Sequence, residues 1–330
     1  MSALAWGPAL AGILLTTDPR AAVVAPVVPE RHDAGLLLPA PAFDPGRVPF
    51  TVSTADGLVF DFSVFALFLE PGERLGLIAD TVLEWREDVA AVTSGLDYQW
   101  TAPSAPGVYP LSLIDAAGHE MTLNRIVMRA REIADADGIN GFILGAYPAE
   151  PYRGEMSYLA PQAFIEILPG MEDVALSPHF RLGQFLCKQE GDETAPRYLV
   201  LSERLIVKLE VILEAANARG WRTDGFTVMS GYRTPAYNAS LGNGENSRHI
   251  YGGAADIFID TDGDGVMDDL NRDGVLDRQD AALLYDLVDS LSEEAGDAWL
   301  AGGLGEYGPN AWHGAFVHVD ERGWRARWGR

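Results

Sequence analysis

The sequence predicts an α+β domain with a small antiparallel sheet, preceded by an all-β immunoglobulin-like sandwich. Short alternating segments separated by turn signals fill residues 49–129, which is typical of β-strands. Mixed helical and extended patterns follow from residue 132. Residues 18–47 are rich in Pro and Ala without a sustained period and predict a linker. The predicted domains are a leader with its linker at 1–47, a β-sandwich at 48–131 and the α+β domain at 132–330.

The first 17 residues carry no charge and include the apolar run 9–15. Such a run is typical of the hydrophobic part of a secretory signal, although the basic residues that usually precede it are missing. Gly and Pro interrupt the segment, and it is too short for a stable membrane span. We therefore expect a signal segment rather than an anchor.

Three short segments predict strands of the sandwich, at 51–53, 58–62 and 109–113. Residues 98–103 and 106–109 resemble a strand pair of an immunoglobulin-like domain. This architecture hosts many functions, so it does not by itself predict one.

In the second domain, apolar residues at helical spacing predict a helix over 201–219. Ser202 is a candidate N-cap and Gly220 a candidate stop signal. Residues 226–230 then predict a strand, and 280–292 predict a second helix.

Composition narrows the class of protein. A chain of 330 residues is long enough for two domains at about 100–200 residues each. The net charge of −24 argues against a nucleic-acid partner, because phosphates would be repelled. The single cysteine, Cys187, excludes an intramolecular disulfide and is predicted to be buried and inert. The sequence does not fix the oligomeric state.

Two histidines and an aspartate form the most informative pattern. His249 and Asp256 are separated by small residues that allow close approach of the backbone. Residues 255–259 predict a buried strand, and 316–320 alternate so that His318 and Asp320 share one face. Two imidazoles and one carboxylate are typical of catalytic zinc, which keeps its fourth position open.

The segment Ser247-x-His249-x-x-Gly252-x-Ala254-x-Asp256 resembles the motif of zinc D-alanyl-D-alanine carboxypeptidases and murein endopeptidases. Residues 230–234 (Ser-Gly-Tyr-Arg-Thr) resemble the upstream block of this family, and His318-Val-Asp320 with Arg327-Trp328 resembles its ending. The resemblance covers about residues 140–330 and implies a zinc peptidase with a small antiparallel sheet.

The resemblance also implies roles for individual residues. His249, Asp256 and His318 would hold zinc, and Arg233 would contact a substrate carboxylate or the oxyanion. Tyr232, Arg233 and Ser247 would contact substrate. The implied substrates are peptide bonds between D-residues in peptidoglycan stem peptides. Endopeptidase and carboxypeptidase activities both remain open.

One departure from the family concerns the general base. Many members carry Glu or His directly before the last ligand, whereas residues 315–317 here are Ala, Phe and Val. Asp320, His313 and Glu306 are the remaining candidates, and Asp320 could instead orient His318. The departure keeps two alternatives open: an inactive zinc-containing module that binds cell wall or protein, and a zinc peptidase for ordinary peptides.

Residues 260–280 predict a calcium-binding insert. Residues 269–280 match an EF-hand-type loop with Gly at position 6 and Asp at position 12, as in dockerin-like loops. An overlapping acidic half-repeat precedes it, so the pair resembles thrombospondin- or dockerin-type repeats. The candidate ligands are Asp260, Asp262, Asp264, Asp268, Asp269, Asn271, Asp273, Asp277 and Asp280. Structural calcium and a peptidoglycan substrate both favour export to the periplasm or cell envelope.

Overall fold

The computed structural model describes residues 42–87, 90–131, 138–189, 195–294 and 302–330. The predicted signal segment and most of the predicted linker, residues 1–41, lie outside these residues. Contacts group Phe43–Arg330 into one packing unit. Among the described residues, no helix is long and apolar enough to cross a membrane.

The first sheet has seven strands, and each predicted strand between residues 51 and 113 lies in it or overlaps one of its strands. The strands are β1 Arg47–Thr54, β2 Val59–Phe62, β3 Val64–Leu69, β4 Arg74–Glu87, β5 Ala90–Thr101, β6 Gly107–Ile114 and β7 Glu120–Val127. Their order is β2-β1-β4-β6-β7-β3, with β5 paired to β4. All pairs are antiparallel except β3 with β7. The immunoglobulin-like comparison remains a prediction.

The expected pairing of residues 98–103 with 106–109 is wrong. Residues 98–101 of β5 pair with β4, whereas residues 107–109 of β6 pair with β7. Strand β4 is 14 residues long, so it can pair with β5 along most of its length and with β6 near its end.

Five short strands connect this sheet to the second half of the chain. They are β8 Arg129–Ala130, β9 Gly138–Ile139, β10 Phe142–Ile143, β11 Ala163–Ile167 and β12 Arg197–Leu199. Strands β12, β11 and β8 form an antiparallel three-stranded sheet, and β9 pairs with β10. Strand β8 follows closely on β7, so the two sheets are joined by a very short connection.

The third sheet carries the candidate site. Its strands are β13 Thr227–Ser230, β14 Ala254–Phe258, β15 Gly303–Tyr307, β16 Phe316–Asp320 and β17 Ala326–Trp328. The order is β13-β14-β16-β15-β17, antiparallel except for β15 with β17. The strands predicted at 226–230, 255–259 and 316–320 correspond to β13, β14 and β16. Every residue of β14 and β16 is buried, which makes this part of the sheet a rigid support.

In the part of the chain that the structure describes, three α-helices complete the fold: α1 Glu203–Ala218, α2 Pro235–Ser240 and α3 Arg278–Glu294. Helix α1 follows its predicted N-cap Ser202, although the Ser202 side chain makes no capping hydrogen bond. Gly220 follows its end with a φ of +90°, a conformation that favours glycine. Helix α3 begins two residues before the predicted start.

The core is continuous across these elements. Leu209 and Leu213 of α1, Val288 of α3 and Val317 of β16 belong to one hydrophobic cluster that also includes Trp85 of the first sheet. Cys187 is buried as predicted, and its burial raises the pKa of the thiol. Helices α1 and α3 therefore back the sheet that carries the site.

Candidate metal centre

The register of the third sheet brings the predicted ligands together. Asp256 of β14 lies directly opposite His318 of β16. On the outer sides, Ser230 of β13 lies opposite Asp256 and Gly305 of β15 lies opposite His318, so these four residues form one row across the sheet. Directly opposite residues of an antiparallel pair project from the same face. The row therefore puts a carboxylate beside an imidazole on one side of the sheet.

His249 reaches the row from the 3-10 turn Arg248–Tyr251. Gly252 ends this turn with a φ of +69°, and a Cβ on it would overlap the backbone of Val200 and Leu201. Only glycine fits such a close approach at positive φ. The glycine of the motif thus lets the chain return from His249 to β14.

The three ligand atoms converge within 4.8 Å of one another and are buried. His249 Nε2 lies 3.2 Å from Asp256 Oδ1 and 3.1 Å from His318 Nδ1. His318 Nδ1 lies 2.8 Å from the same Asp256 oxygen. Ligand atoms around a tetrahedral zinc ion are separated by about 3.3 Å, given Zn–N and Zn–O distances of about 2.0 Å.

Hydrogen bonds behind the ligands fix the histidine tautomers. His249 Nδ1 lies 2.7 Å from the carbonyl of Gly231, which can only accept, so Nδ1 carries the proton. His318 Nε2 lies 3.0 Å from Asp320 Oδ2 and donates to it. The lone pairs of His249 Nε2 and His318 Nδ1 therefore face each other and Asp256 Oδ1. Three hydrogen-bond acceptors that converge in this way repel one another unless a cation lies between them. The two imidazole nitrogens and the carboxylate oxygen are therefore a ligand set that fits zinc.

The pKa shifts agree with a site that attracts a cation. Burial lowers the pKa of His249. Burial would also lower the pKa of His318, but the nearby carboxylates of Asp256 and Asp320 outweigh it and raise that pKa. Burial opposes ionisation of Asp256, yet the two imidazoles hold its pKa well below the usual range.

Asp320 is fully buried behind His318 rather than in front of it. Its Oδ1 accepts hydrogen bonds from Gly303 N at 2.7 Å and Arg322 Nε at 2.9 Å. Burial opposes ionisation, but His318 and Arg322 hold the pKa of Asp320 well below its usual range. The carboxylate contacts the nitrogen remote from Asp256, so it orients His318 and is not placed to take a proton from substrate water.

Arg233 lies beside the metal site. Its Nη2 donates to Asp256 Oδ2, and its Nε donates to Ser230 Oγ at 2.7 Å. These contacts hold the guanidinium on the carboxylate that also faces the histidines. Arg233 therefore fixes the orientation of Asp256 while its own side chain borders the open space above it.

That open space is a cavity of about 930 Å³. Its floor includes His249, Asp256 and His318, and Arg233 and Ser247 also line it. Further lining side chains are Lys188, Glu245, Tyr307, Trp312, His313 and Trp328. The cavity can thus admit a peptide to the three ligands.

Two expectations for site residues are corrected. Tyr232 is 1% exposed and its hydroxyl lies 3.0 Å from that of Tyr147, so it packs in the core and does not contact substrate. Glu306 lies next to Gly305, which pairs with His318, so its side chain projects from the opposite face of the sheet. The Glu306 carboxylate accepts hydrogen bonds from Arg278 and Arg330. It cannot act as the base.

Two proton acceptors remain in the cavity wall. His313 Nδ1 donates to Gly314 O at 2.7 Å, and its Nε2 lies 2.7 Å from Asn310 Nδ2. The ring also packs edge-on against Phe316. Glu245 is exposed in the loop before His249 and was missed because a lone carboxylate in a polar loop carries no spacing signal.

The acidic insert lies apart from this row. Carboxylate oxygens of Asp260, Asp262 and Asp268 lie within 4.8 Å of one another. In the described residues, the carboxylates of the second loop form no such group. Asp280 is buried and accepts hydrogen bonds from Leu270 N at 2.9 Å and Asp277 N at 3.0 Å, closing the loop on itself. Backbone N–H groups also donate to Asp264, Asp269, Asn271, Asp273 and Asp277.

The ligand set is of the kind that catalytic zinc sites use, and it lines a cavity that is large enough for a ligand. Residues 178–273 match the Peptidase M15 family, which is zinc-dependent, and the match supports a peptidase of this family. It includes Arg233, His249 and Asp256, and strand β16 supplies His318 beyond it. No curated protein matches the chain.

Proposed function

We propose that this protein hydrolyses peptide bonds between D-residues in bacterial peptidoglycan. The observation that carries the proposal is the convergence of three acceptor atoms, from His249, Asp256 and His318, on the floor of a peptide-sized cavity. The Ser247–Asp256 motif favours this substrate class within the M15 peptidases.

Zinc held by these residues would activate water and polarise the scissile carbonyl. The protein's part is to keep the ligands in place. Gly231 and Asp320 hold the two imidazoles, and Arg233 holds Asp256. Arg233 Nη1 makes no hydrogen bond within the described residues, so it is available to a substrate carboxylate or to the oxyanion that develops.

We assign the general base to His313, whose Nε2 accepts a hydrogen bond from Asn310 Nδ2 and can take a proton from water when that hydrogen bond opens. Its contacts with Phe316, Gly314 and Asn310 fix the ring at the cavity wall, whereas Glu245 is exposed on a loop. His313→Gln should lower kcat by about 100-fold or more with zinc retained. Glu245→Gln is the matched variant, and a large loss in that variant alone would move the role to Glu245.

Mass spectrometry of muropeptides tests the substrate. Zinc-loaded protein is incubated with sacculi, with and without a zinc chelator. Loss of cross-linked dimers indicates an endopeptidase, and release of D-alanine indicates a carboxypeptidase. His249→Ala, Asp256→Ala and His318→Ala should each abolish zinc binding and product, whereas exposed His119→Ala should change neither. A zinc-loaded protein that leaves sacculi unchanged would contradict the proposal. Cleavage of ordinary peptides would then favour the alternative of a zinc peptidase for ordinary peptides. Binding to sacculi without cleavage would favour the alternative of an inactive binding module.

The same proposal places the protein outside the cytoplasm, in the periplasm or cell envelope, because peptidoglycan lies there. It also gives the acidic insert a structural calcium ion, supported by the Asp260, Asp262 and Asp268 group. The insert connects β14 to α3, so calcium there would stiffen the segment that follows Asp256. Fractionation of cells producing the full chain tests the location.

A further inference from the structure

Exposed aromatic side chains line the cavity that contains the predicted metal ligands. Within the described residues, three aromatic side chains are among the exposed large hydrophobic ones: Tyr152 at 38%, Tyr307 at 36% and Trp312 at 93%. All three line the cavity. Exposed apolar surface gathered at one place marks a binding surface rather than chance exposure.

Trp312 lies exposed in a hydrogen-bonded turn between β15 and β16. Asn310 Oδ1 accepts hydrogen bonds from Trp312 N at 2.8 Å and His313 N at 3.1 Å. Asn310 N donates to His313 O at 2.9 Å and closes the same turn. The backbone under the indole is therefore fixed before any ligand binds, which reduces the entropy cost of binding to it.

The polar groups that share this cavity include uncharged amides. Asn243 and Asn246 line it, whereas the amide of Asn310 is engaged within its own turn. An indole face that shares a cavity with amide donors and acceptors complements a flat ring with apolar C–H faces and a rim of uncharged hydroxyl and acetamido groups. A pyranose ring has this chemistry.

We propose that Trp312 stacks against a sugar ring of the glycan strand, so that the enzyme favours stem peptides still attached to their disaccharide. This inference rests on the proposed function and assigns a specificity-determining residue to it. The cavity then holds two parts of one substrate, with the peptide at the zinc ligands and the sugar at the Trp312 rim.

The test compares one stem peptide with and without its disaccharide. In the native enzyme the disaccharide should lower KM by about 10-fold, which corresponds to about 1.4 kcal/mol. Trp312→Ala should remove this difference by raising KM for the disaccharide-linked peptide far more than KM for the free peptide. Trp312→Phe should restore part of it. Ile143→Ala, an exposed apolar residue outside the cavity, is the matched control.

Equal KM values for the two substrates in the native enzyme would overturn the inference, as would an equal loss on both in Trp312→Ala. Calorimetric binding of the disaccharide-peptide to zinc-loaded protein separates this inference from the proposed function. If neither substrate is cleaved but the disaccharide form binds more tightly through Trp312, the sugar contact stands and the proposed hydrolysis fails.

Discussion

His318 lies between two carboxylates: its Nδ1 lies 2.8 Å from Asp256 Oδ1, and its Nε2 lies 3.0 Å from Asp320 Oδ2. The two carboxylates differ in their other partners. Asp256 also faces His249 and Arg233, whereas Asp320 is bonded to Gly303 and Arg322. One ring thus connects the metal site to a buried network behind it.

Replacing Asp320 should weaken the metal site without destroying it. Asp320→Asn removes the charge that fixes the His318 tautomer, and loss of such a partner lowers metal affinity by about 10–100-fold. Competition with a chromophoric zinc chelator measures the change. Asp97→Asn, at an exposed position in the first sheet, should leave the affinity unaltered. An unchanged affinity in Asp320→Asn would show that Asp320 does not orient the ligand.

Arg233→Lys should lower kcat and keep the zinc. The ammonium of lysine cannot contact Asp256 and Ser230 as the guanidinium fork does, nor donate a further fixed N–H to the oxyanion. Loss of one such donor costs about 10²–10³ in kcat. Zinc stoichiometry and kcat are measured on the same preparation, with Arg86→Lys in the first sheet as control. If zinc is lost in proportion to activity, Arg233 only supports Asp256.

His179 should make stability depend on pH. Its Nδ1 lies 2.7 Å from Glu210 Oε2 on α1, and its Nε2 lies 3.0 Å from the Asp44 carbonyl. Burial lowers the pKa of His179, but the bonds to Glu210 and Asp44 outweigh it and raise that pKa above 6.5. The stability that charged His179 contributes to the folded state is fully present below the unfolded pKa near 6.5. It is lost as pH rises through the pKa of His179 in the folded state.

The measurement is the free energy of unfolding of native protein and His179→Gln across this range. The native protein should be more stable by about 1.5–3 kcal/mol at pH 5.5, which is typical of a hydrogen bond to a charged group. The difference should shrink as pH rises above the folded pKa. His119→Gln, an exposed histidine, is the control. A difference that grows with pH would contradict the assignment.

Calcium should stabilise the protein through the first acidic loop more than through the second. Asp260→Ala with Asp268→Ala removes two members of the converging carboxylate group and should lower the melting temperature in millimolar calcium. The same pair should have little effect in a calcium chelator. Asp269→Ala with Asp273→Ala serves as the comparison in the second loop. Equal melting temperatures of the native protein with and without calcium would contradict the proposed calcium site.

Local pattern was sufficient for the parts of the site built from short segments. The alternation of residues 316–320 predicted β16 and the shared face of His318 and Asp320, and both are found in the structure. Helix α1 and the strand that carries Asp256 were likewise predicted from the apolar residues of their own segments. These features depend on neighbours in sequence, which a single chain displays directly.

Features set by pairing between distant segments could not be predicted. The face of Glu306 depends on which residue of β15 lies opposite His318, and that is Gly305. Tyr232 and Arg233 are adjacent, yet one enters the core and the other the cavity. The joint pairing of β5 and β6 with β4 likewise depends on long-range register. Spacing within one segment contains no information on these registers.

The separation of the ligands along the chain has a consequence for maturation. Asp256 and His318 are 62 positions apart and meet only when β14 and β16 pair. A chain synthesised as far as β15 would carry two ligands and no third, and could not hold zinc tightly. Acquisition of the metal is therefore coupled to closure of the last antiparallel ladder of the site.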